Sequence, residues 1–298
     1  MPGQFKVRWN IRYILSGSRH RPNRSSGGDL LNLLVLLLFG CFMILPLVYT
    51  VCNAVKPLDE LFVFPPRFFV RHPTLDNFFD VFALLSNSWV PFSRYLFNTL
   101  FVTLVGTIGH IILASLCAYA MAKLHFFGRN ALFNLVVVSL MFSPVVTAIP
   151  NYLTVAAMGW VDTYWALIVP AFASSLGLFL MKQFMETVPD SILESGRIDG
   201  ASEFKVFWRL AMPMVKPGWL TLFIFSFQSL WNSTGGTFIY SEQLKPLPYA
   251  MNQILQGGVA RAGMGAAVAF LLMTVPILCF IVSQSSIITT MASSGIKE

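Results

Sequence analysis

Six stretches of this chain, 30–55, 95–122, 130–161, 163–181, 217–241 and 262–296, contain no Asp, Glu, Lys or Arg. A helix needs about 20 apolar residues, each rising about 1.5 Å, to cross the hydrocarbon of a bilayer. Every stretch qualifies, with 163–181 the tightest fit. Strands of a membrane barrel would alternate polar and apolar residues with period two, and these runs do not. Only 11% of the residues are charged, against about a quarter in soluble domains. The sequence therefore predicts an all-α integral membrane protein of six transmembrane helices, with a basic tail over 1–29 and one six-span domain over 30–298.

Positive charge sets the expected orientation. With the N-terminus inside, the inner segments 1–29, 123–129, 182–216 and 297–298 hold fourteen of the twenty Lys and Arg. Lys56, Arg67, Arg71, Arg94, Lys245 and Arg261 fall outside. Acidic residues divide seven inside and six outside, as expected when only Lys and Arg are read during insertion. Both termini are then cytoplasmic. The net charge of +7 is accounted for by topology and calls for no nucleic-acid partner. The first 29 residues are too long, polar and basic for a cleaved signal peptide. Val7, Ile11 and Ile14 share a helical face beside Arg8 and Arg12, which fits an interfacial helix or a tail that serves topology alone.

Between two spans lies a charge-dense segment, 185–217, which reads as two short helices around a glycine corner. Ser191 and Glu194 have capping-box spacing. Gly200 supplies a residue that can end a helix in the left-handed region. Ser202 can cap the next helix, where Phe204, Phe207 and Trp208 fall on one face. A polar helix pair with an aromatic face, set between membrane spans, is suited to pressing against another protein.

This segment resembles the cytoplasmic EAA loop of ABC-importer permeases. Glu194, Gly200, Leu210 and Pro213 stand at the spacings of that signature, and Asp199-Gly200-Ala201 with Phe207 match its carbohydrate-importer version. Ser195 and Gly196 replace the two alanines, and Met212 replaces the Leu before the proline. Further similarities run through Leu75-Asp76-Asn77-Phe78, Tyr95 to Thr99, Ala118 to Lys123 with Gly128-Arg129, Pro144 to Pro150, Trp231-Asn232, Pro246-Leu247-Pro248 and Gly295-Ile296-Lys297. The chain is similar over roughly 30–298 to the maltose-type, six-span permeases of binding-protein-dependent carbohydrate import.

The resemblance implies a type I ABC importer permease fold in the cytoplasmic membrane of a bacterium or archaeon. It implies a second permease, two ATPase subunits holding ATP and Mg, an extracytoplasmic solute-binding protein and a carbohydrate substrate. The chain itself would hold no cofactor or metal, and would move substrate by alternating access. Glu194, Ser195, Gly196, Asp199, Gly200, Ala201, Phe204, Phe207, Trp208, Leu210 and Pro213 would couple it to the ATPases. Asn98, Gln228 and Asn232 are candidate polar residues of a substrate pathway.

The residues themselves weigh against other classes. An ion-coupled transporter needs ionisable groups near the bilayer midplane, and the spans hold no Asp, Glu, Lys or Arg. A membrane enzyme needs clustered ligands or acid–base pairs, whereas His20, His72, His110 and His125 are scattered. Cys41, Cys52, Cys117 and Cys279 read as packing residues within apolar runs. No Gly-x-x-x-x-Gly-Lys-Ser/Thr loop is present to bind ATP. The stripe Asn98, Thr99, Thr103, Gly106, Thr107, Ala114, Ser115 and Ala118 fits close helix packing or a pore-lining face, with His110 an interhelical hydrogen-bond partner. The loops 53–94 and 239–263 read as connections, the first with Phe62, Phe64, Phe68, Phe69 and Phe78 as interface anchors or a docking surface.

Overall fold

The computed structural model describes residues 26–86, 89–258 and 261–294, with side chains between 27 and 284. The tail reading for 1–25 and the motif residues 295–298 lie outside the described residues. Two units are distinguished, Met1–Tyr49 and Thr50–Glu298. Helix α1 (Ser26–Ala54) begins inside the segment read as a tail. Within the first unit Leu34, Leu36, Phe39 and Met43 are all exposed, as fits a helix that is apolar all round and is solvated by hydrocarbon.

The second unit continues with α2 (Leu58–Leu61), α3 (Asp76–Ser86), α4 (Phe92–Lys123), α5 (Arg129–Ser139), α6 (Pro144–Ala157), α7 (Trp165–Phe172) and α8 (Ser175–Glu186). Then come α9 (Asp190–Ile198), α10 (Glu203–Met214), α11 (Lys216–Trp231), α12 (Leu247–Leu255) and α13 (Ala262–Ser294). Helix α4 is the mast of this unit, packed against α7, α8, α11 and α12. Its stripe from Asn98 to Ala118 is buried, so within this chain the stripe serves packing. His110 Nδ1 meets Ser226 Oγ on α11 at 3.1 Å, the interhelical bond expected of it. A Cβ on Gly177 would come 2.1 Å from His110 Nε2, so a glycine there is what lets α8 lie against α4.

Among the described residues four helices are long and apolar enough to cross a membrane, and six if each of two bent pairs is one span. The expected span over 130–161 is one of the bent pairs, with α5 and α6 at 114°. Ser143 accepts from Val145 N and Pro144 opens α6, a strong helix start placed inside an apolar run. The expected span over 217–241 is shortened to α11, of 16 residues and about 24 Å long. Gly235 and Gly236 with positive φ follow its end. Helices α10 and α11 meet at 81°.

The connections are more ordered than the sequence indicated. In 53–94, Asn77 Nδ2 donates to the carbonyls of Ala54 (3.0 Å) and Lys56 (2.7 Å). The Glu60 carboxylate accepts from the backbone N–H groups of Arg71 and His72. Phe78 packs on Phe270, whereas Phe64 and Phe69 are exposed. The 239–263 connection contains α12, whose Leu247, Ala250, Met251 and Ile254 are buried at helical spacing against α3, α4 and α13. Cys41 and Cys117 are exposed rather than packed in this chain.

Candidate functional site, a helix corner between α9 and α10

The glycine corner forms as the sequence predicts. Gly200 has φ of 78°. Its N–H donates to Arg197 O, and Ala201 N–H donates to Gly196 O, both at 3.0 Å. These are the two closing bonds of a Schellman motif, in which the residue after the cap takes the left-handed region. Asp190 in the first turn of α9 and Arg197 in its last complement the helix dipole.

The predicted side-chain caps do not form. Pro189 takes the N-cap position of α9, which puts Ser191 inside the first turn, and no side chain caps the helix. The capping box with Glu194 is therefore absent, and Glu194 is exposed. Ser202 does stand at the N-cap of α10 but gives no side-chain bond. Ser195 Oγ instead donates to Ile192 O at 2.8 Å.

The expected aromatic face is split. Phe207 is buried and lies edge-on to Tyr119 of α4 at 5.4 Å. Phe204 is 65% exposed, and Trp208, at the rim, contacts both phenyl rings. The π-helical turn Phe207–Ala211 lies just ahead of Pro213. A proline cannot donate to the preceding turn and clashes with its carbonyl, and the wider turn relieves that conflict. Leu193, Val206, Phe207, Ala211 and Met212 join Met181 and Met185 of α8 in one apolar core. Gly196 belongs to the contact between α9 and α10, since a Cβ there would approach Leu210 Cδ1 to 2.5 Å. Asp199 and Pro213 are exposed and Ala201 is half-buried. Ile198, 85% exposed beside the corner, escaped the sequence reading because that reading followed aromatic residues alone.

Charged ties fasten the corner to the end of α4. Tyr119 OH donates to Glu203 Oε2 (2.9 Å), and Arg197 Nε donates to Glu203 Oε1 (2.6 Å). The Arg197 hydrogen bond, followed by that of Tyr119, holds the Glu203 carboxyl below its ordinary range. Lys123 Nζ donates to Asp190 Oδ1 (2.7 Å) and Val188 O (2.6 Å), and depresses the Asp190 carboxyl in turn.

The three candidate pathway residues are not brought together. Asn98 is fully buried and spends its amide on the carbonyls of Gln243 (2.8 Å) and Lys245 (2.9 Å), while its oxygen accepts from Tyr164 OH (2.7 Å). Gln228 and Asn232 lie one turn apart on the exposed side of α11, where Asn232 Nδ2 donates to Gln228 O. Among the described residues no three His, Cys, Asp or Glu side chains are grouped to hold a metal.

Known proteins share this architecture. The crystal structure of a bacterial ABC transporter involved in the import of the acidic polysaccharide alginate contains a chain that superposes with a TM-score of 0.73 at 19% identity, covering 89% of this chain and 99% of that one. At that identity the likeness is one of fold. Protein LplC of Bacillus subtilis (strain 168) is 36% identical over 228 residues, 75% of this chain and 73% of LplC. The polygalacturonan/rhamnogalacturonan transport system permease protein YtcP of the same organism is 28% identical over 239 residues, 78% of this chain and 81% of YtcP. Residues 110–289, which include the whole α9–α10 corner, match the family described as binding-protein-dependent transport system inner membrane component. The chain belongs to that family of membrane-embedded permease subunits.

Proposed function

We propose that this chain is the permease of an ATP-driven importer for a carbohydrate, coupled through the α9–α10 corner to separate ATPase subunits. The observation that carries the reading is the corner itself. A Schellman turn at Gly200 fixes the angle between two helices that are backed by a buried core and leave Ile198 and Phe204 uncovered. A force-transmitting contact needs a rigid back and an apolar front, and this element has both. Glu194, Ser195 and Asp199, exposed on the same element, supply the polar rim of such a contact.

The partners in this reading are two ATPases that hold ATP and Mg, a second permease and an extracytoplasmic solute-binding protein. ATP-driven closure of the ATPases moves the corner and reorients the spans, so the chain acts without catalysis of its own. The corner and both termini face the cytoplasm, as the Lys and Arg distribution favours. The similarity to YtcP, a polygalacturonan/rhamnogalacturonan transport system permease protein, supports a carbohydrate substrate. Gln228 and Asn232, exposed on α11, stay candidates for the substrate pathway, whereas the bonds of Asn98 favour a structural role.

Reconstitution tests the reading. Uptake of labelled oligosaccharide into proteoliposomes should require ATP, both ATPases, the second permease and the binding protein. Uptake by this chain alone under an ion gradient would sink it, and ATP-driven uptake of a solute other than sugar would remove the carbohydrate assignment. In a cysteine-free variant carrying one probe, outside labelling of intact cells should reach a cysteine at Ser86 and miss one at Ser202.

A further inference from the structure

The turn over 123–129 joins α4 to α5, so it lies where two membrane-spanning segments reach the surface. Its aromatic residues point outward, with Phe127 fully exposed and Phe126 41% exposed. Aromatic rings at the ends of spans settle at the level of the lipid headgroups. Beside them opens a cavity of about 390 Å³ lined by Lys123, His125, Arg129, Asp190, Glu194 and Arg197.

The charges in this cavity are unevenly engaged. Asp190 is paired with Lys123 at 2.7 Å, and Arg197 is paired with Glu203 at 2.6 Å. Arg129 gives a 3.3 Å hydrogen bond to Leu124 O and has no carboxylate partner among the described residues. With Glu203 counted, Lys123 and Arg197 are each matched by a carboxylate, which leaves Arg129 and Glu194 in this cavity, and the His125 ring adds an N–H donor. His125 and Arg129 also line a second hollow of about 300 Å³ together with Phe126. A cation without a carboxylate partner, an imidazole and two exposed rings thus share one turn at the membrane surface.

We propose that the 123–129 turn binds an anionic phospholipid, with Arg129 and His125 holding the phosphate and Phe126 and Phe127 lying against the acyl chains. A soluble anion would leave the two rings unused, whereas a phospholipid satisfies both halves of the turn. The hollow lined by His125, Phe126 and Arg129 holds no carboxylate, so its cation suits an anionic headgroup over a zwitterionic one. Because Lys123 and Arg197 fasten the same cavity to the corner, a bound headgroup braces α4 against α9.

The test is lipid binding to the purified full-length chain in mild detergent, read by native mass spectrometry with added phosphatidylglycerol or phosphatidylcholine. The wild type should retain phosphatidylglycerol in preference. Arg129→Gln should weaken that binding about fivefold, the worth of one cation at a membrane surface, and adding His125→Gln should weaken it further. Phe127→Ser should lower retention of both lipids. Arg71→Gln, at an exposed position in 53–94, should change neither. Equal retention of the two lipids by the wild type would overturn the proposal, as would unchanged phosphatidylglycerol binding by a folded Arg129→Gln. Displacement of the lipid by inorganic phosphate would assign the turn to a soluble anion. Loss of ATPase-subunit association with lipid binding intact would assign it to a protein contact, and either result defeats the proposal.

Discussion

The two ends of the second unit each have an apolar core but differ in how polar side chains tie them together. At the α9–α10 end, helices pack through an apolar core of Met181, Met185, Leu193, Val206 and Phe207, and a few charged ties at the rim connect them to α4. At the other end, α4 and the connections are stitched by side chains that bind backbone. Asn98 holds Gln243 and Lys245, Thr99 Oγ1 accepts from Leu247 N, and the Asp162 carboxylate accepts from Tyr240 N, Ser241 N and the Ser241 hydroxyl. Asp162 itself sits at φ of 61°, a strained position for a residue other than glycine. A close-packed apolar core passes displacement on with little give, whereas directed bonds to backbone fix where each connection lies. Under the proposed coupling, the first end would pass motion to α4 and the second would hold the connections to it.

The sharpest way to break this comparison is Asn98→Ala. It removes three hydrogen bonds, to the carbonyls of the exposed Gln243 and half-buried Lys245 and from the half-buried Tyr164, at about 0.5–1.5 kcal/mol each. A loss of roughly 2–4 kcal/mol should appear in thermal unfolding of the purified chain. A variant as stable as the wild type would mean that the stitched end is not held by these bonds.

Phe207→Ala comes next and separates the two halves of the aromatic face. Truncating a buried phenyl ring costs about 3–5 kcal/mol. Phe204→Ala, at an exposed position, should stay within about 0.5 kcal/mol yet lower retention of the ATPase subunits in a pull-down. Equal stabilities for the two variants would contradict the inward and outward assignment.

Gly200→Val tests the corner with a smaller stability cost. No atom lies within 4 Å of a Cβ added there, so the penalty is that of the left-handed backbone, about 1–2 kcal/mol. Insertion and expression should survive while ATP hydrolysis and uptake become uncoupled. Normal transport at wild-type expression would remove the corner from the coupling path.

The smallest effect expected is on pH dependence. Glu203 is held below its ordinary 4.5 by Arg197 and then Tyr119, and Asp162 below its ordinary 3.8 by the Ser241 hydroxyl and the N–H groups of Ser241 and Tyr240. A depressed value in the folded state contributes stability above the ordinary carboxylate range, and this is lost as pH falls through the depressed value. Melting temperature should therefore fall on acidification. Glu203→Gln should flatten that fall only slightly, because the side chain is 51% exposed and water screens its pair. Asp162→Asn should remove the share belonging to the stitched end. Identical acid profiles for wild type and both variants would show that neither tie is sensed by folding.

The spans and the corner were legible because both are written in local sequence. Apolar runs of fixed length mark helices in lipid, and a glycine between two short amphipathic stretches marks a left-handed helix end. The bend at Ser143-Pro144 was also present in the sequence as a cap followed by proline, but hydropathy over 130–161 masked it. The α12 helix was present too, as Leu247, Ala250, Met251 and Ile254 at helical spacing, within a segment read as a loop.

By itself, the sequence determined an all-helical membrane chain and the position of its glycine corner. Only the tertiary structure decided that Phe207 turns inward while Phe204 and Ile198 remain uncovered, that Pro189 displaces the expected capping box, and that Asn98 is committed to Gln243, Lys245 and Tyr164. Helix formation and termination depend on neighbours within about one turn, so spacing along the chain records them. Which face of a helix is covered, and which carbonyl an amide reaches, depends on residues that folding brings together from far along the chain, as with Asn98 and Lys245, 147 positions apart.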